Sequence, residues 1–240
     1  MPRSKTLLVD IGNSSIEFAP YQRGVIGRSR RIATTKAQEW LSTDPFSTYD
    51  RVVASSVVPQ VDRLLRRYSM VTLIDFRSLP RLTLHLKKTS QVGSDRIVNA
   101  LGAYQKYQKS CLVVDSGTAT TFCYVDRDGG YQGGIITPGM GISSQALALF
   151  TAKIPLIRVS PISEIIGKST KEAVRIGLYK GTIHMINGFI SEFKIMDPDV
   201  VVIGTGKGLL PVKDAVNLDE YDPILILKGL AVCAQNLTIV

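Results

Sequence analysis

Apolar and polar positions alternate along the chain in blocks that predict strands separated by turns and helices. The apolar run Thr6–Val9 stops at Asp10, and Ser15–Pro20 then alternates between apolar and polar side chains, which is typical of a strand, a tight turn and a second strand. The pattern returns at Asp115, which stands 105 positions after Asp10 and follows the apolar run Leu112–Val114. Two copies of one strand–turn–strand unit at so long a period predict two similar lobes.

The other periodic segments predict further strands with helices between them. Strands are expected at Arg51–Val58, Met70–Asp75 and Val200–Ile203, and helices at Val61–Tyr68, Ser94–Lys106, Ile142–Phe150, Thr170–Lys194 and after Leu227. Strands that alternate with helices are typical of the α/β class. We expect one lobe at 1–109 and the other at 110–240, with the last helix packing back across the boundary.

Each copy of the repeat has an acid, a glycine and small polar residues at its turn, as Asp10-Ile-Gly-Asn-Ser and Asp115-Ser-Gly-Thr-Ala. Glycine lets the backbone approach a ligand and adopt dihedral angles that other residues avoid, and amides freed in such a turn bind phosphate oxygens. The carboxylate beside them fits a metal ion, a bound water or an attacking hydroxyl. For one copy alone, the simpler explanation is a hairpin turn capped by its own side chains. Two related copies favour a nucleotide cleft between the lobes.

Two further glycine-rich segments follow. Gly204–Gly208 comes after a buried strand but has neither the Walker A nor the Rossmann pattern, and beside the two earlier turns it suits a loop under a nucleotide base or ribose. Gly133–Gly141 contains four glycines, which predicts close backbone approach, either of lobe to lobe or of ligand to loop.

Gly93–Arg96 opens one of the predicted helices. Gly93 marks a turn, Ser94 is expected to cap the helix, and Asp95 lies in the first turn, where the helix dipole favours an acid. Arg96 does not fit a purely structural role, because a cation is unfavourable at a helix N-terminus. An acid next to a guanidinium suits a kinase whose substrate carries a hydroxyl, oriented by Asp95, and a carboxylate, bound by Arg96.

Composition excludes several classes of protein. The chain has 240 residues, 45% hydrophobic and 20% charged, which excludes a disordered protein. No apolar run approaches the about 20 residues of a membrane span, and the run behind the basic start is too short for a signal peptide. The three cysteines form no CxxC pair, and His85 and His184 lack metal-ligand spacing. We therefore expect a cytoplasmic protein with no metal site made by protein side chains alone.

The net charge of +9 allows nucleic-acid binding, an electropositive cleft for small anions, or ordinary surface charge. The basic residues cluster without interleaved aromatics, unlike those of a single-strand binder; the clusters are Arg28, Arg30 and Arg31, then Arg63, Arg66 and Arg67, then Arg81, Lys87 and Lys88. The apolar residues of Val61–Tyr68 share one helical face, which leaves the arginines of the second cluster solvated. We favour ordinary surface charge and expect no nucleic-acid or membrane partner.

Taken together, these motifs resemble those of the type III pantothenate kinases, members of the acetate and sugar kinase, heat-shock-protein and actin superfamily. The resemblance covers nearly the whole chain, and its motifs occur in the family's order: Asp10-Ile-Gly-Asn-Ser14, Gly93-Ser-Asp-Arg96 with Asn99, Val114-Asp-Ser-Gly-Thr-Ala-Thr-Thr121, Gly133-Gly-Ile-Ile-Thr-Pro-Gly139, Gly167-Lys-Ser-Thr170 and Leu227-Lys-Gly-Leu230. It implies two actin-like (ribonuclease H-like) lobes with mixed sheets flanked by helices. It also implies ATP-dependent phosphorylation of pantothenate to 4′-phosphopantothenate, the first step of coenzyme A biosynthesis.

The resemblance assigns roles residue by residue. It implies ATP binding by Asp10, Ile11, Gly12, Asn13, Ser14, Ser15, Ile16, Glu17 and Thr118, with Asp10 near the Mg²⁺ ion or the γ-phosphate. It implies pantothenate binding by Leu86, Gly93, Ser94, Asp95, Arg96 and Thr170, with Asp95 as the general base. It implies a monovalent cation, K⁺ or NH₄⁺, at Asp115. Because Thr170 reaches the substrate across a dimer interface in this family, the active unit is expected to be a homodimer.

Three positions depart from the family pattern, and two alternatives stay open. Glu17 stands where some members have Lys, Leu86 where a substrate-binding Tyr is common, and Gly206-Lys207 replaces a second glycine in the usual Thr-Gly-Gly turn. Leu86 leaves open a kinase that acts on another small hydroxy acid. The +9 charge leaves open a regulatory, transcription-accessory relative, although Asp95 and Arg96 argue against a purely regulatory role.

Overall fold

The computed structural model describes residues 5–237, which form two units. Unit 1 contains residues 5–108, 125–133 and 224–237, and unit 2 contains residues 109–124 and 134–223. The break after Gln108 lies beside the boundary expected from the sequence. Segments 125–133 and 224–237 fall in unit 1, whereas the division at 109/110 places them in the second lobe.

The described residues contain twelve strands and six α-helices. The strands are β1 (Thr6–Ile11), β2 (Ser15–Gln22), β3 (Val25–Ile26), β4 (Arg30–Ala33), β5 (Arg51–Ser56), β6 (Val71–Leu73), β7 (Thr83–Leu84), β8 (Cys111–Ser116), β9 (Ala119–Val125), β10 (Gly130–Pro138), β11 (Val201–Thr205) and β12 (Glu220–Tyr221). The helices are α1 (Ala37–Ser42), α2 (Pro59–Leu65), α3 (Ser94–Tyr107), α4 (Met140–Phe150), α5 (Thr170–Met196) and α6 (Leu225–Asn236).

Both units are built on a mixed sheet with the same strand order. In unit 1 the order is β3-β2-β1-β5-β6, with β4 also paired to β2; β1 is antiparallel to β2 and parallel to β5. In unit 2 the order is β10-β9-β8-β11-β12, and β8 is parallel to β11. The first residues of β10 belong to unit 1, where they pair with β7. This repeated topology confirms the α/β class and the two similar lobes predicted from the repeat.

The sheet of unit 1 is buried on both faces because side chains along β1 alternate. Leu7, Val9 and Ile11 face an apolar cluster with α1 and α2, while Leu8 faces a second cluster with α3 and α6. A burial of this kind on both faces requires a continuous apolar run such as that of β1. Arg63 of α2 is exposed, as are Arg66 and Arg67 just after the helix, which agrees with the solvation predicted for them.

Helix α6 belongs to unit 1 because it packs against α3 at two glycines. A Cβ on Gly102 would lie 2.8 Å from the carbonyl oxygen of Leu225, and a Cβ on Gly229 would overlap the carbonyl group of Val98. Only glycine at both positions lets the two helix backbones come this close. The last helix is therefore part of the core beneath β1, although it lies more than 100 residues from α3 in sequence.

Unit 2 has its own core between its sheet and α5. Leu112 and Val114 of β8 pack with Phe122 of β9 and with Ile186 and Ile190 of α5. The glycine-rich segment before α4 is strand β10 and the turn after it. A Cβ on Gly134 would overlap the carbonyl group of Phe122, and one on Gly139 would lie 2.7 Å from the carbonyl oxygen of Thr118. Gly134 and Gly139 thus serve close backbone contacts within unit 2.

Helix α4 is rich in apolar residues, but few of them are buried. Only Met140 and Ser144 of its residues are buried, while Ile142, Leu149 and Phe150 are exposed. Within residues 5–237, no helix has the length and apolar character that crossing a membrane requires.

Candidate active site

The turn between β1 and β2 is tied down by a residue that the sequence patterns did not single out. The amide of Gly12 donates to the carbonyl of Ser15 (3.0 Å), and Thr34, just after β4, donates from Oγ1 to the carbonyl of Gly12 (2.6 Å) and from its amide to Ser14 (3.2 Å). Asn13 is an exposed residue, and its backbone amide has no hydrogen bond to any of residues 5–237. Such an amide is available to an anion.

The glycines of the two repeated turns do not adopt left-handed backbone angles. Positive φ occurs at Gly24, Gly129, Gly133 and Gly206, but not at Gly12 or Gly117. The expectation of unusual dihedral angles at the repeat was therefore wrong. A Cβ on Gly117 would meet nothing within 4 Å, so the glycine there leaves open space in front of the turn.

One face of the unit 1 sheet changes from apolar to polar within two residues. Leu8 lies opposite Ala19 of β2 and Val53 of β5, and this row is buried against α3 and α6. The next row on the same face is Asp10, opposite Glu17 and Ser55. A polar row thus lies at the carboxyl end of β1, on the face that α3 covers.

Ser94 joins the start of α3 to this polar row. Its hydroxyl lies 3.0 Å from the Ser55 hydroxyl, accepts from the amide of Ser56 (3.0 Å) and lies 2.9 Å from the Ser56 carbonyl. The helix N-cap is Gly93, with no side-chain cap. The prediction that Ser94 caps α3 was wrong, because its hydroxyl is already engaged by β5. The consequence is that the residues after Ser94 are held beside Asp10.

Asp95 and Arg96 follow in the first turn of α3, and both are half-buried. Asp95 Oδ1 accepts from the amide of Arg96 (2.8 Å), and its carboxylate folds back over Gly93, where a Cβ would lie 2.5 Å from Oδ1. Burial raises the pKa of the Asp95 carboxyl, although the Arg96 amide and charge act in the opposite direction. The Arg96 guanidinium has no hydrogen bond or ion pair with any residue of the described chain. The turn therefore presents a carboxyl of raised proton affinity and a cation ready for an anionic ligand.

Glu17, expected in the ATP-binding segment, is engaged by Arg31 of β4. The two residues lie directly opposite each other on β2 and β4, and the Arg31 guanidinium donates from Nη2 to Glu17 Oε2. Arg31 therefore combines solvent exposure with an ion pair to Glu17. The neighbouring Ile11 and Ile16 are fully buried in the core of unit 1.

Leu86 lies in the segment between β7 and α3. It is half-buried, and a Cβ on Gly133 would lie 3.3 Å from its Cδ2. Leu86 therefore contacts the first residues of β10 within unit 1.

Unit 2 repeats the arrangement at Asp115 with different neighbours. Asp115 lies opposite Thr205 of the parallel strand β11, just as Asp10 lies opposite Ser55. Gly206 has φ +83°, and a Cβ there would collide with Asp115 Oδ1 and the carbonyl of Ser116. The loop predicted to lie under a base or ribose packs against the Asp115 turn, which brings carboxylate and carbonyl oxygens together. Thr118 is exposed at the tip of that turn.

Thr170 is the first residue of α5 and is exposed. The side chain of Ser169 caps the helix by accepting from the amide of Glu172 (3.3 Å), and Glu172 accepts from the amide of Lys168 (2.8 Å). A cavity of about 470 Å³ opens beside this helix start; Arg158, Lys171 and Arg175 supply its cations. Thr170 has no hydrogen bond to the Asp115 turn among the described residues.

The groups that could hold a metal ion or a metal-bound nucleotide are isolated carboxylates. No cluster of three or more His, Cys, Asp or Glu suited to a metal ion occurs within residues 5–237. Mg²⁺ bound to a nucleotide needs only one or two protein carboxylates, because phosphates and waters supply its other ligands. Asp10 fits that requirement, and the oxygens gathered at Asp115, Ser116 and Gly206 fit a larger monovalent cation.

A family model and curated relatives match most of the chain. The model described as type III pantothenate kinase matches residues 6–192. The type III pantothenate kinase of Citrifermentans bemidjiense is 31% identical, with 96% of this chain and 98% of that protein covered. The enzyme of the same name from Listeria monocytogenes is 34% identical, with 93% and 94% covered.

Solved structures with the same fold are much more distant in sequence. A Baf family protein of Campylobacter jejuni, named as a suspected transcriptional activator, has a TM-score of 0.64 and 18% identity, with 95% of this chain and 97% of that chain covered. Component A of the (R)-2-hydroxyglutaryl-CoA dehydratase of Acidaminococcus fermentans has a TM-score of 0.54 and 14% identity, with 96% and 99% covered. These likenesses establish the fold alone.

The raised pKa of Asp95 predicts a stability effect opposite to that of an ordinary acid. The folded state favours the neutral carboxyl, so its contribution to stability is full below the unfolded value of 3.8 and is lost as pH rises through the folded pKa. Asp95→Asn is therefore expected to be at least as stable as the wild type at pH 7, with the difference shrinking as pH falls. Urea denaturation followed between pH 7 and pH 4 measures this.

A control with the opposite sign is Asp126. Burial acts to raise its pKa, but hydrogen bonds from the amides of Gly130 and Asp128 and the side chain of Gln132 lower it overall. Its contribution is present above the unfolded pKa and lost as pH falls, so Asp126→Asn should reduce stability at pH 7. An Asp95→Asn variant less stable than the wild type at pH 7 contradicts the raised pKa.

Proposed function

Since the chain belongs to the type III pantothenate kinase family, it is a kinase that transfers phosphate from ATP to pantothenate, and we propose that Asp95 and Arg96 position the acceptor at the polar row of unit 1. One observation carries this assignment. At the start of α3 a half-buried carboxyl stands next to a guanidinium that has no hydrogen bond or ion pair within residues 5–237. The product is 4′-phosphopantothenate, and the reaction opens coenzyme A biosynthesis.

Asp95 accepts a hydrogen bond from the pantothenate hydroxyl and takes its proton as the new O–P bond forms. The bond between the γ-phosphorus and its bridging oxygen breaks at the same time, and ADP leaves. Because the transition state of phosphoryl transfer is loose, orientation of the hydroxyl contributes more than its deprotonation. The raised pKa of the carboxyl makes it a better proton acceptor than an exposed aspartate.

Arg96 binds the carboxylate of pantothenate. A guanidinium can donate two parallel hydrogen bonds to a carboxylate, which orients the ligand as well as binding it. The free guanidinium of Arg96, adjacent to Asp95, supports this role. Gly93 and Ser94 hold the turn, and Leu86 provides an apolar contact to the substrate.

The turn Gly12–Ser15 binds the phosphates of ATP, and Asp10 binds the accompanying Mg²⁺. The free amide of Asn13 and the exposure of Ser14 support this assignment. Bound Mg²⁺ neutralises phosphate charge during transfer. Thr118 of unit 2 contacts ATP. We place the reaction in the cytoplasm, where ATP is made; the three cysteines are buried thiols outside any disulfide, which suits that reducing compartment.

Asp115 binds a monovalent cation, K⁺ or NH₄⁺. The collision that a Cβ on Gly206 would make with Asp115 and Ser116 supports this proposal, because it marks a space bordered by oxygens. Such a cation supplies positive charge near a turn that contains no lysine or arginine.

The active unit is a homodimer in which Thr170 of one copy reaches the substrate of the other. The exposed apolar residues of α4 and the segment after it support a second copy as the occupant of this surface: Ile142, Leu149, Phe150, Leu156, Ile165 and Ile166. They stand within the 30 residues that precede Thr170, which is itself exposed.

Turnover of ATP, Mg²⁺ and pantothenate tests the assigned function. We expect phosphopantothenate from the wild type and a loss of about 10²- to 10⁴-fold in kcat for Asp95→Asn, because a positioned general base contributes that much. Asp128→Asn, which changes an exposed acid, is the control and should leave the rate unchanged. A near-normal rate for Asp95→Asn contradicts the role of this residue, and no product from the wild type contradicts pantothenate as substrate.

The cation assignment predicts a response to potassium that depends on Asp115. The wild type should be faster in potassium than in sodium at equal ionic strength, and Asp115→Asn should lose at least half of that stimulation because the anionic ligand is gone. Initial rates in the two salts, with circular dichroism to verify folding, measure the effect. An unchanged potassium response in the variant removes Asp115 from the cation site.

The dimer proposal predicts a change of mass in solution. The wild type should have twice the chain mass of 26.2 kDa by light scattering, and Phe150→Ser should shift it toward the monomer, because Phe150 is 82% exposed in the single chain. Ile195→Ser is the control, since Ile195 is equally exposed at the far end of α5. A monomeric wild type, or equal shifts in both variants, contradicts the proposed surface.

A further inference from the structure

The proposed phosphate-binding segment has an excess of negative charge. Residues 10–17 contain two acids, Asp10 and Glu17, and no lysine or arginine. The two acids are directly opposed on β1 and β2, where side chains of one face approach within about 4.5–5.5 Å at Cβ. Like charges opposed in this way destabilise the sheet, and they would also repel the phosphates of ATP. A compensating cation is therefore expected on this face.

Arg31 is that cation. It lies opposite Glu17 on β4, so it continues the row formed by Asp10 and Glu17 on the same face of the sheet. The Glu17 carboxylate, only 9% exposed, accepts a hydrogen bond from Nη2 of Arg31. The Nε and Nη1 groups of Arg31 have no partner among the described residues, and its side chain remains 30% exposed.

The position of β4 brings this guanidinium to the phosphate turn. Strand β4 ends at Ala33, opposite Ser15, and Thr34 then holds the turn by its bonds to Gly12 and Ser14. Arg31 is two residues before the end of β4, a separation of about 7 Å along a strand, which an extended arginine side chain can span. The same face carries Ser55, to which Ser94 and the start of α3 are bound.

We propose that Arg31, oriented by Glu17, binds the β- and γ-phosphates of ATP and supplies the positive charge that residues 10–17 lack. This inference rests on the proposed function, since it assumes that ATP occupies the turn after β1. The ligands of Arg31 are the terminal phosphates, because the γ-phosphate must meet a hydroxyl held at Asp95. The row from Arg31 to Ser55 ends beside Ser94 at the start of α3, the helix that carries Asp95. Arginine suits this task because its planar fork can serve a carboxylate and a phosphate at once.

The alternative is an ion pair that only stabilises the sheet. In that case the cost of removing Arg31 arises from the unpaired, nearly buried Glu17, and removing both charges should restore a normal protein. The two explanations therefore predict different ATP affinities for the double variant Glu17→Gln/Arg31→Gln. Arg30 immediately precedes Arg31 in β4 and lies on the opposite face of the sheet, so it provides a matched control.

The test is nucleotide binding measured by calorimetry, without pantothenate, for the wild type, Arg31→Gln, the double variant and Arg30→Gln. We expect Arg31→Gln and the double variant to bind Mg²⁺-ATP about 10- to 100-fold more weakly, the loss typical of one hydrogen-bonded charge. Their affinity for AMP, which lacks the terminal phosphates, should stay within about twofold, as should the affinity of Arg30→Gln for ATP. The KM for ATP should rise while the KM for pantothenate does not. The fluorescence of Trp40, the only tryptophan, which stacks on Phe18 of β2, reports folding in every variant.

Each outcome decides the question. Normal ATP affinity in Arg31→Gln, or its restoration in the double variant, overturns the proposal and leaves a structural ion pair. Equal losses for AMP and ATP also overturn it, because the contact would then not involve the terminal phosphates. If Arg31→Gln fails to fold, the double variant alone gives the answer. A wild type that binds no ATP overturns the proposed function itself. A wild type that binds ATP, together with an Arg31→Gln variant that binds it equally well, overturns only the role of Arg31.

Discussion

The hydrogen bonds of the Ser94 hydroxyl hold the start of α3 against the end of β5, and the arrangement of the unit 1 site depends on them. Strand β5 is parallel to β1, so its end lies beside Asp10. Ser94 therefore brings a turn from the middle of the sequence to a strand from its beginning. These bonds add to the packing of α3 against α6 and set Asp95 and Arg96 at the carboxyl end of β5. A serine that capped its own helix would not make this link.

The first turn of α3 holds two charged residues in positions that lower the stability of the folded protein. The Asp95 carboxyl is held where burial raises its pKa, and Arg96 stands in the first turn of a helix, where the dipole opposes a cation. Both choices reduce stability. They are offset by an apolar core that covers β1 on both faces and by the close packing of α3 against α6. The residues that stabilise the fold are therefore different from the residues to which we assign the reaction.

The two units show how one topology supports different chemistry. In each, the first strand ends in an acid opposite a hydroxyl residue of the next parallel strand, Ser55 in unit 1 and Thr205 in unit 2. The surroundings then differ. In unit 1 a glutamate and an arginine extend the row, whereas in unit 2 a glycine with positive φ closes over the carboxylate. The first set suits phosphates and a substrate, and the second suits a monovalent cation.

The sequence by itself determined the fold class and most of the elements, and it supplied the residues to which we assign the reaction. The repeat at Asp10 and Asp115 predicted two similar lobes, and the apolar runs and helical periods located the main strands and helices to within a few residues, because these signals are local. The motif Gly93–Arg96 indicated a candidate substrate turn, since an acid and a cation at one helix start have few structural explanations. Tertiary structure alone decided three other points: that Ser94 binds β5 rather than capping α3, that α6 joins α3 in unit 1, and that Arg31 pairs with Glu17. Each depends on strand register or on contacts between residues distant in sequence. Such contacts leave no periodic pattern in the chain, because the partners are chosen by the packing of the whole sheet.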